Sequence, residues 1–279
     1  MAQAYDAIIA TITVASDASQ VVKAMVKSTE WREGTSGSWL TTDCTLNPST
    51  TYQFRTPLSG MDSTPIAILP NIKASVTVDW DTTATPISTL GDFFMMGYAY
   101  DCSSLTSLSV PDTSGLTSVG SDFMSYYAYD CSSLTSLSVP DTSGLTSVGS
   151  DFMSYYAYGC SNLTSLSVPD TSGLTSEGGS FMGGYASYCS ELTSLILPAV
   201  GWFATHNINW SVPSGRLGYL KGYVNNVTDR DNWRALTTST SPNTLYINYI
   251  RSADDVILPE PPETPVVGEK YALPPFRRA

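Results

Sequence analysis

Few of the 279 residues have the types and spacing that catalysis demands. His206 is the single histidine. A Ser-His-Asp set needs an imidazole oriented by a third group, and nothing in the sequence pairs His206 with one. The chain holds no Gly-rich phosphate loop, no HExxH and no CxxC. Glycoside hydrolysis needs two carboxylates in different environments. The acids between Asp79 and Glu191 come mostly as copies at a fixed interval instead. No catalytic residue, cofactor or metal site is therefore expected.

What recurs is a set of columns 29 residues apart. Thr106, Thr135 and Thr164 form one, continued by Thr193, with Ser109, Ser138 and Ser167 beside it. Stacked at the roughly 4.8 Å spacing of paired strands, they make a flat face rich in hydroxyls. Such a face suits a glycan or protein held by many shared hydrogen bonds. Flat threonine arrays also order ice-like water in antifreeze proteins, and the commonest case is a face that is only solvated. Tyr100, Tyr129 and Tyr158 offer ring surfaces to sugars, since tyrosine brings large contact area at small entropic cost. The column of Tyr98, Tyr127, Tyr156 and Tyr185 is expected in the core. Asp112, Asp141 and Asp170 either point into water or share a cation, although their spacing matches no known calcium loop. Cys102, Cys131, Cys160 and Cys189 suit neither zinc nor a redox pair and are expected as small buried groups. With Cys44 the total is five, so at least one thiol is unpaired within the chain.

These columns need a stacked repeat to position them. The 29 residues from Tyr98 to Tyr126 recur unchanged from Tyr127 to Tyr155, and two looser copies begin at Tyr156 and Tyr185. In each, LTSLSV (105–110) reads as a strand with Leu105, Leu108 and Val110 inward and Thr106 and Ser109 outward. PDTSG (111–115) is turn chemistry. In the rest, Leu116, Val119, Phe123, Tyr127, Ala128 and Cys131 fall at spacings of three and four, which predicts a short helix capped by Ser121 or Asp122. Ile87, Leu90, Phe94 and Met95 fall under Leu116, Val119, Phe123 and Met124, so a degenerate first coil begins there.

The residues Leu105, Leu108, Val110, Pro111, Leu116, Val119, Gly120, Phe123, Cys131, Ser132 and Leu134 form a pattern that resembles the BspA-like leucine-rich repeats of bacterial surface proteins. Val212, Pro213, Ser214, Gly215, Tyr223 and Trp233 resemble the element that often ends such arrays, in which a helix carries the Tyr and a Lys. The resemblance covers about residues 85–235. It implies a strand-lined α/β solenoid used for adhesion or ligand display, and no enzyme activity. The repeats of that family are commonly shorter than 29 residues.

The expected organisation is a β-rich, sandwich-like module (1–75), a leucine-rich-repeat solenoid (76–204), a C-terminal cap (205–252) and a Pro-rich tail (253–279). In the first module AIIATITV (7–14), TYQFRT (51–56), PIAILP (65–70) and KASVTVDW (73–80) read as strands, and QVVKAMVK (20–27) as a strand or short helix. TLYINYI (244–250) reads as a strand near the end of the cap.

Charge narrows the partners. The chain carries a net charge of −12. No Lys or Arg lies between Lys73 and Arg216, and twelve acids do. The block repels phosphate backbones and anionic lipids, which argues against nucleic acid and membrane partners. No apolar run is long enough to span a bilayer, and no signal peptide or anchor motif is read from the sequence. The expected role is a non-enzymatic structural or display protein that binds other protein subunits through the N-terminal module and the Pro-rich tail. A phage virion component, a capsid decoration or tail adhesin, leads; the alternative is a bacterial cell-surface adhesin for host glycan or protein. Ice binding ranks behind both.

Overall fold

A computed structural model describes residues 7–17, 22–24, 30–42, 44–57, 73–81, 87–197, 221–224, 228, 231 and 249–252. PIAILP, His206, most of the cap and the Pro-rich tail lie outside the described residues.

The N-terminal part is β-rich. Strand β1 (Ala7–Val14) turns Ile8, Ala10, Ile12 and Val14 inward, where they are buried, and Ile9, Thr11 and Thr13 outward. It pairs antiparallel with β5 (Thr51–Pro57) and β6 (Ala74–Asp81). β3 (Glu30–Glu33) pairs antiparallel with the far side of β5. β2 (Val22–Ala24) and β4 (Cys44–Leu46) pair as a separate ribbon. On one face of the larger sheet, the guanidinium groups of Arg32 and Arg55 lie 4.3 and 4.5 Å from the Trp39 ring. Arg55 is also paired with Glu30 and Asp81.

Strand β6 crosses the 75/76 boundary and joins both parts. Its free edge pairs parallel with β8 (Leu105–Leu108), with a register shift between Ala74 and Ser75. β8 in turn pairs parallel with β10 (Ser136–Leu137). One six-stranded sheet, β10-β8-β6-β1-β5-β3, therefore runs from the N-terminal strands into the repeats. The Trp80 ring stacks on Phe94 at 5.7 Å, and Phe94 begins a file continued by Phe123, Phe152 and Phe181 at 5.3–5.6 Å. The N-terminal sheet thus covers the first open end of the stack, as a terminal cap must.

The repeats form a β-solenoid of about four coils. A second ladder is built from β7 (Thr89–Leu90), β9 (Ser118–Val119) and β11 (Ser147–Val148), all parallel. Leu90 pairs with Val119, the register the period predicts. The first ladder resumes in β12 (Ser165–Ser167) and β13 (Ser194–Ile196). It continues through β14 (Lys221–Val224) to β15 (Tyr249–Ser252). β14 is a strand where the resemblance implies a helix bearing Lys221 and Tyr223. It pairs parallel with β13 from Lys221 to Tyr223, and Gly222, Tyr223 and Val224 are poor helix formers in any case. β15 overlaps only the end of the strand expected at 244–250.

The third side of each coil corrects the helical expectation. Residues 121–130 form successive turns, not a helix. Ser125, Tyr129 and Cys131 donate to the carbonyls three residues back. Asp122, Tyr126, Ala128 and Asp130 instead donate to the next coil, at the carbonyls of Ser150, Ser154, Tyr156 and Tyr158, over 2.7–2.8 Å. This division goes with left-handed backbone at Asp122, Met124, Tyr126 and Asp130, with φ of 51–58°. The same columns are left-handed in every coil, and the chain places Gly97, Gly159 and Gly184 in them. Each non-Gly residue so held costs roughly 1–2 kcal/mol. The intercoil hydrogen bonds and the burial of Phe123, Met124, Tyr127 and Ala128 offset it.

Candidate partner-binding surface

Two kinds of column reach the surface, and the coil places them on successive sides. On the strand side, Thr135 and Thr164 are exposed, and Thr106 is half-buried beside β6. Their hydroxyls are partly committed. Thr106 Oγ1 donates to the Ala74 carbonyl at 2.9 Å, Thr135 Oγ1 to Thr106 at 3.1 Å, and Thr193 Oγ1 to Thr164 at 3.3 Å. These bonds fix the rotamers and leave the methyl groups and oxygen lone pairs for a partner. Thr117, Thr146 and Thr175 repeat the arrangement on the β9 ladder, at 3.0–3.2 Å.

The serine column has a second task. Ser109 Oγ accepts from Val78 N–H at 2.8 Å, and the Ser109 carbonyl accepts from the Tyr127 hydroxyl at 2.7 Å. Ser138 and Ser167 likewise take the Tyr156 and Tyr185 hydroxyls on their carbonyls. Ser138 is exposed, and Ser109 and Ser167 are half-buried.

On the turn side, Tyr100, Tyr129 and Tyr158 form a file with ring centroids 4.8 and 4.6 Å apart and planes within 2° of parallel. Tyr188 ends it, 4.8 Å from Tyr158 and tilted by 52°. Tyr126 and Tyr155 form a second file at 5.0 Å, tied to the first by contacts of 5.6 and 5.7 Å. Together they make one aromatic ridge across the coils. Tyr100 is 47% exposed and Tyr188 62%. Within the file each ring covers its neighbour's face, so the ridge shows ring edges and hydroxyls to solvent. The rings at its two ends, Tyr100 and Tyr188, are the most exposed of the file.

The flanking acids are not neutralised by nearby cations within the block, because residues 74–215 contain none. Burial, then the neighbouring Asp101, holds the Asp130 carboxyl above the usual range. Burial, then Asp151, does the same for Asp122. Asp112, Asp141 and Asp170 have a local role: each Oδ1 accepts the N–H two residues on, from Ser114, Ser143 and Ser172 at 2.9–3.0 Å. These are Asx-turns. The Ser114 amide accordingly holds Asp112 below the usual carboxylate range.

Two buried columns complete the scaffold. The thiols of Cys131, Cys160 and Cys189 donate to the carbonyls of Ala99, Ala128 and Ala157 at 3.0–3.2 Å. Burial pushes the Cys189 thiol up to about 12, so it stays protonated and inert. Thr113 and Thr142 are also buried and donate to the Asp141 and Asp170 carbonyls of the next coil. Turn chemistry alone does not single out that column. The signal for it is the recurrence of Thr at one position of three PDTSG turns, two residues after a proline that is buried as well.

The buried tyrosines set an alkaline limit. Burial raises Tyr127, Tyr156 and Tyr185 well above their ordinary value of 10.0. A folded-state value above the unfolded one means stability that is intact below pH 10 and lost as pH climbs past it. Phenolate absorbance from the buried file should rise only as circular dichroism reports loss of the fold, and its rise with the dichroism intact would overturn this limit.

No family model, curated protein or solved structure matches this chain.

Proposed function

We propose that the chain is a non-enzymatic display protein that binds partners across its repeat surface, with the tyrosine ridge as the principal contact. The observation that supports this reading is the ridge itself: Tyr100, Tyr129, Tyr158 and Tyr188 stand in file on four coils, beside Tyr126 and Tyr155. A protein that needs one reaction centre has no use for near-identical groups at every coil. A protein that gains affinity from many equal contacts does. Tyrosine supplies contact area with few rotatable bonds, and the stacked file has already lost its rotamer freedom.

The setting we propose is an exterior surface: a phage virion first, or a bacterial cell surface, where the ligand is a host glycan or protein. What supports the adhesive half of this reading is the resemblance of the repeat pattern, in sequence alone, to BspA-like repeats. The threonine column from Thr106 to Thr164, with Ser109, Ser138 and Ser167, is the accessory contact face.

Replacing Tyr129 and Tyr158 together by serine tests the reading. Glycan arrays and whole-cell binding should show loss of at least about tenfold in apparent affinity, as expected for losing two aromatic anchors. The melting transition reports whether the stack survives. Undiminished binding by a folded variant overturns the ridge as the contact.

A further inference from the structure

We propose that the ridge also docks a segment of the same chain, the basic proline-containing stretch KYALPPFRRA at residues 270–279. The inference rests on the ridge being a binding surface and names its resident occupant. Four observations favour this segment. The first is charge. The ridge runs beside Asp101, Asp130, Asp122 and Asp151, in a block without a single Lys or Arg. Residues 270–279 carry Lys270, Arg277 and Arg278 and no acid.

The second is chemistry. Proline-rich segments are recognised by surfaces lined with aromatic residues, because the polyproline II conformation is already ordered and loses little entropy on docking. Pro274 and Pro275 sit between Leu273 and Phe276 in this stretch. The third is spacing. A polyproline II helix repeats its face every three residues, roughly 9 Å. Tyr100 and Tyr158 are two rungs apart, at rungs of 4.8 and 4.6 Å. Leu273 and Phe276 therefore meet equivalent points on the file, and Arg277 and Arg278 fall near the aspartates.

The fourth is reach. The last described strand, β15, ends at Ser252 and lies three strands from β12 of the third coil. Three strand spacings are about 14 Å. The residues from 253 to 269 span about 50 Å at the polyproline rise. The segment can therefore run back along the stack to the ridge. A docked segment shields the tyrosines until a better ligand displaces it.

Hydroxyl-radical footprinting of the full chain tests this. The third coil is the place to read it, because Tyr158 lies in a sequence, YAYGC, that the two identical coils do not share. At an effective concentration on the order of 1 mM, an intrinsic Kd of about 0.1 mM leaves the segment mostly docked and slows oxidation roughly tenfold. Arg277→Glu with Arg278→Glu should restore the fast rate at Tyr158 and Tyr188, and so should Phe276→Ser with the arginines kept. Protection should be unchanged on about hundredfold dilution and lost in 1 M salt, where the screening length falls to about 3 Å. Equal oxidation in the parent and both tail variants overturns the proposal. Protection that appears only on concentration overturns the intramolecular assignment and marks a second copy as the occupant. The outcome is separable from that for partner binding: the arginine variant should bind external ligands at least as well as the parent, whereas the tyrosine variant should not.

Discussion

Tyr156→Ala should destabilise the fold by about 3–5 kcal/mol, the range for removing a large aromatic from a packed interior. Tyr156 is fully buried, between Tyr127 at 5.2 Å and Tyr185 at 5.4 Å, with planes within 10° of parallel. Alanine removes both ring contacts and leaves a void at the middle of the stack. It also strips the Ser138 carbonyl of its phenol donor, a further cost of about 1–3 kcal/mol where water does not replace it. Tyr156→Phe isolates that second part and should cost about 1–3 kcal/mol. In a one-dimensional stack each coil contacts only its neighbours, so a defect in the third coil uncouples the coils on either side. Urea denaturation should show a lower midpoint for Tyr156→Phe. For Tyr156→Ala it should show a lower midpoint with a broadened or split transition. A loss below about 1 kcal/mol for the alanine variant would show that the tyrosine file is not what holds the coils together.

The period in the sequence carries the coil register, and with it most of the core. Leu90 pairs with Val119, Phe94 stacks on Phe123, and Leu105, Leu116, Val119, Phe123, Tyr127, Ala128 and Cys131 are all buried. The helical reading of 116–131 fails for a definite reason. A run of turns closed by bonds to the third residue back also brings residues three and four apart to one side. Burial at that spacing does not distinguish turns from a helix. What does distinguish them is the cross-coil comparison. Gly97 and Gly184 stand in the column of Tyr126 and Tyr155, and Gly159 in that of Asp130. A helix interior disfavours glycine, whereas a left-handed turn position prefers it. The union of β6 with β8 is less legible, since a parallel pairing between Val76 and Leu108 leaves no local mark. Of the candidate surface, the columns are readable from the period alone. That the tyrosine rings shield one another's faces, and that the Ser109 column anchors the buried tyrosine file, depends on side-chain geometry.

Two adjacent glycines give the sharpest contrast. Gly178→Ala should cost at least about 3 kcal/mol, and Gly179→Ala should change stability by less than about 0.5 kcal/mol. A Cβ on Gly178 would lie 2.2 Å from Ser150 N, 2.4 Å from Ser150 Cα and 2.6 Å from Gly149 C. All three atoms are backbone of the preceding coil, so no rotamer change relieves the clash. The same approach recurs at Gly149 against Ser121 N, 2.3 Å, and at Gly120 against the Asp92 amide, 2.6 Å. In that column the coils meet closely enough that Gly149 and Gly120 donate to the carbonyls of Val119 and Leu90 at 3.1 and 3.0 Å. Alanine must push two coils apart, and the displacement strains the neighbouring Thr175–Thr146 bonds on the same ladder. Gly179 has no atom within 4 Å of its added carbon and no left-handed φ. Alanine there only restricts the unfolded chain, a small gain. Thermal melts of the two single variants decide the point. Similar midpoints would mean that the coils are spaced more loosely than the glycine column requires, and that column would then have no structural reason to recur.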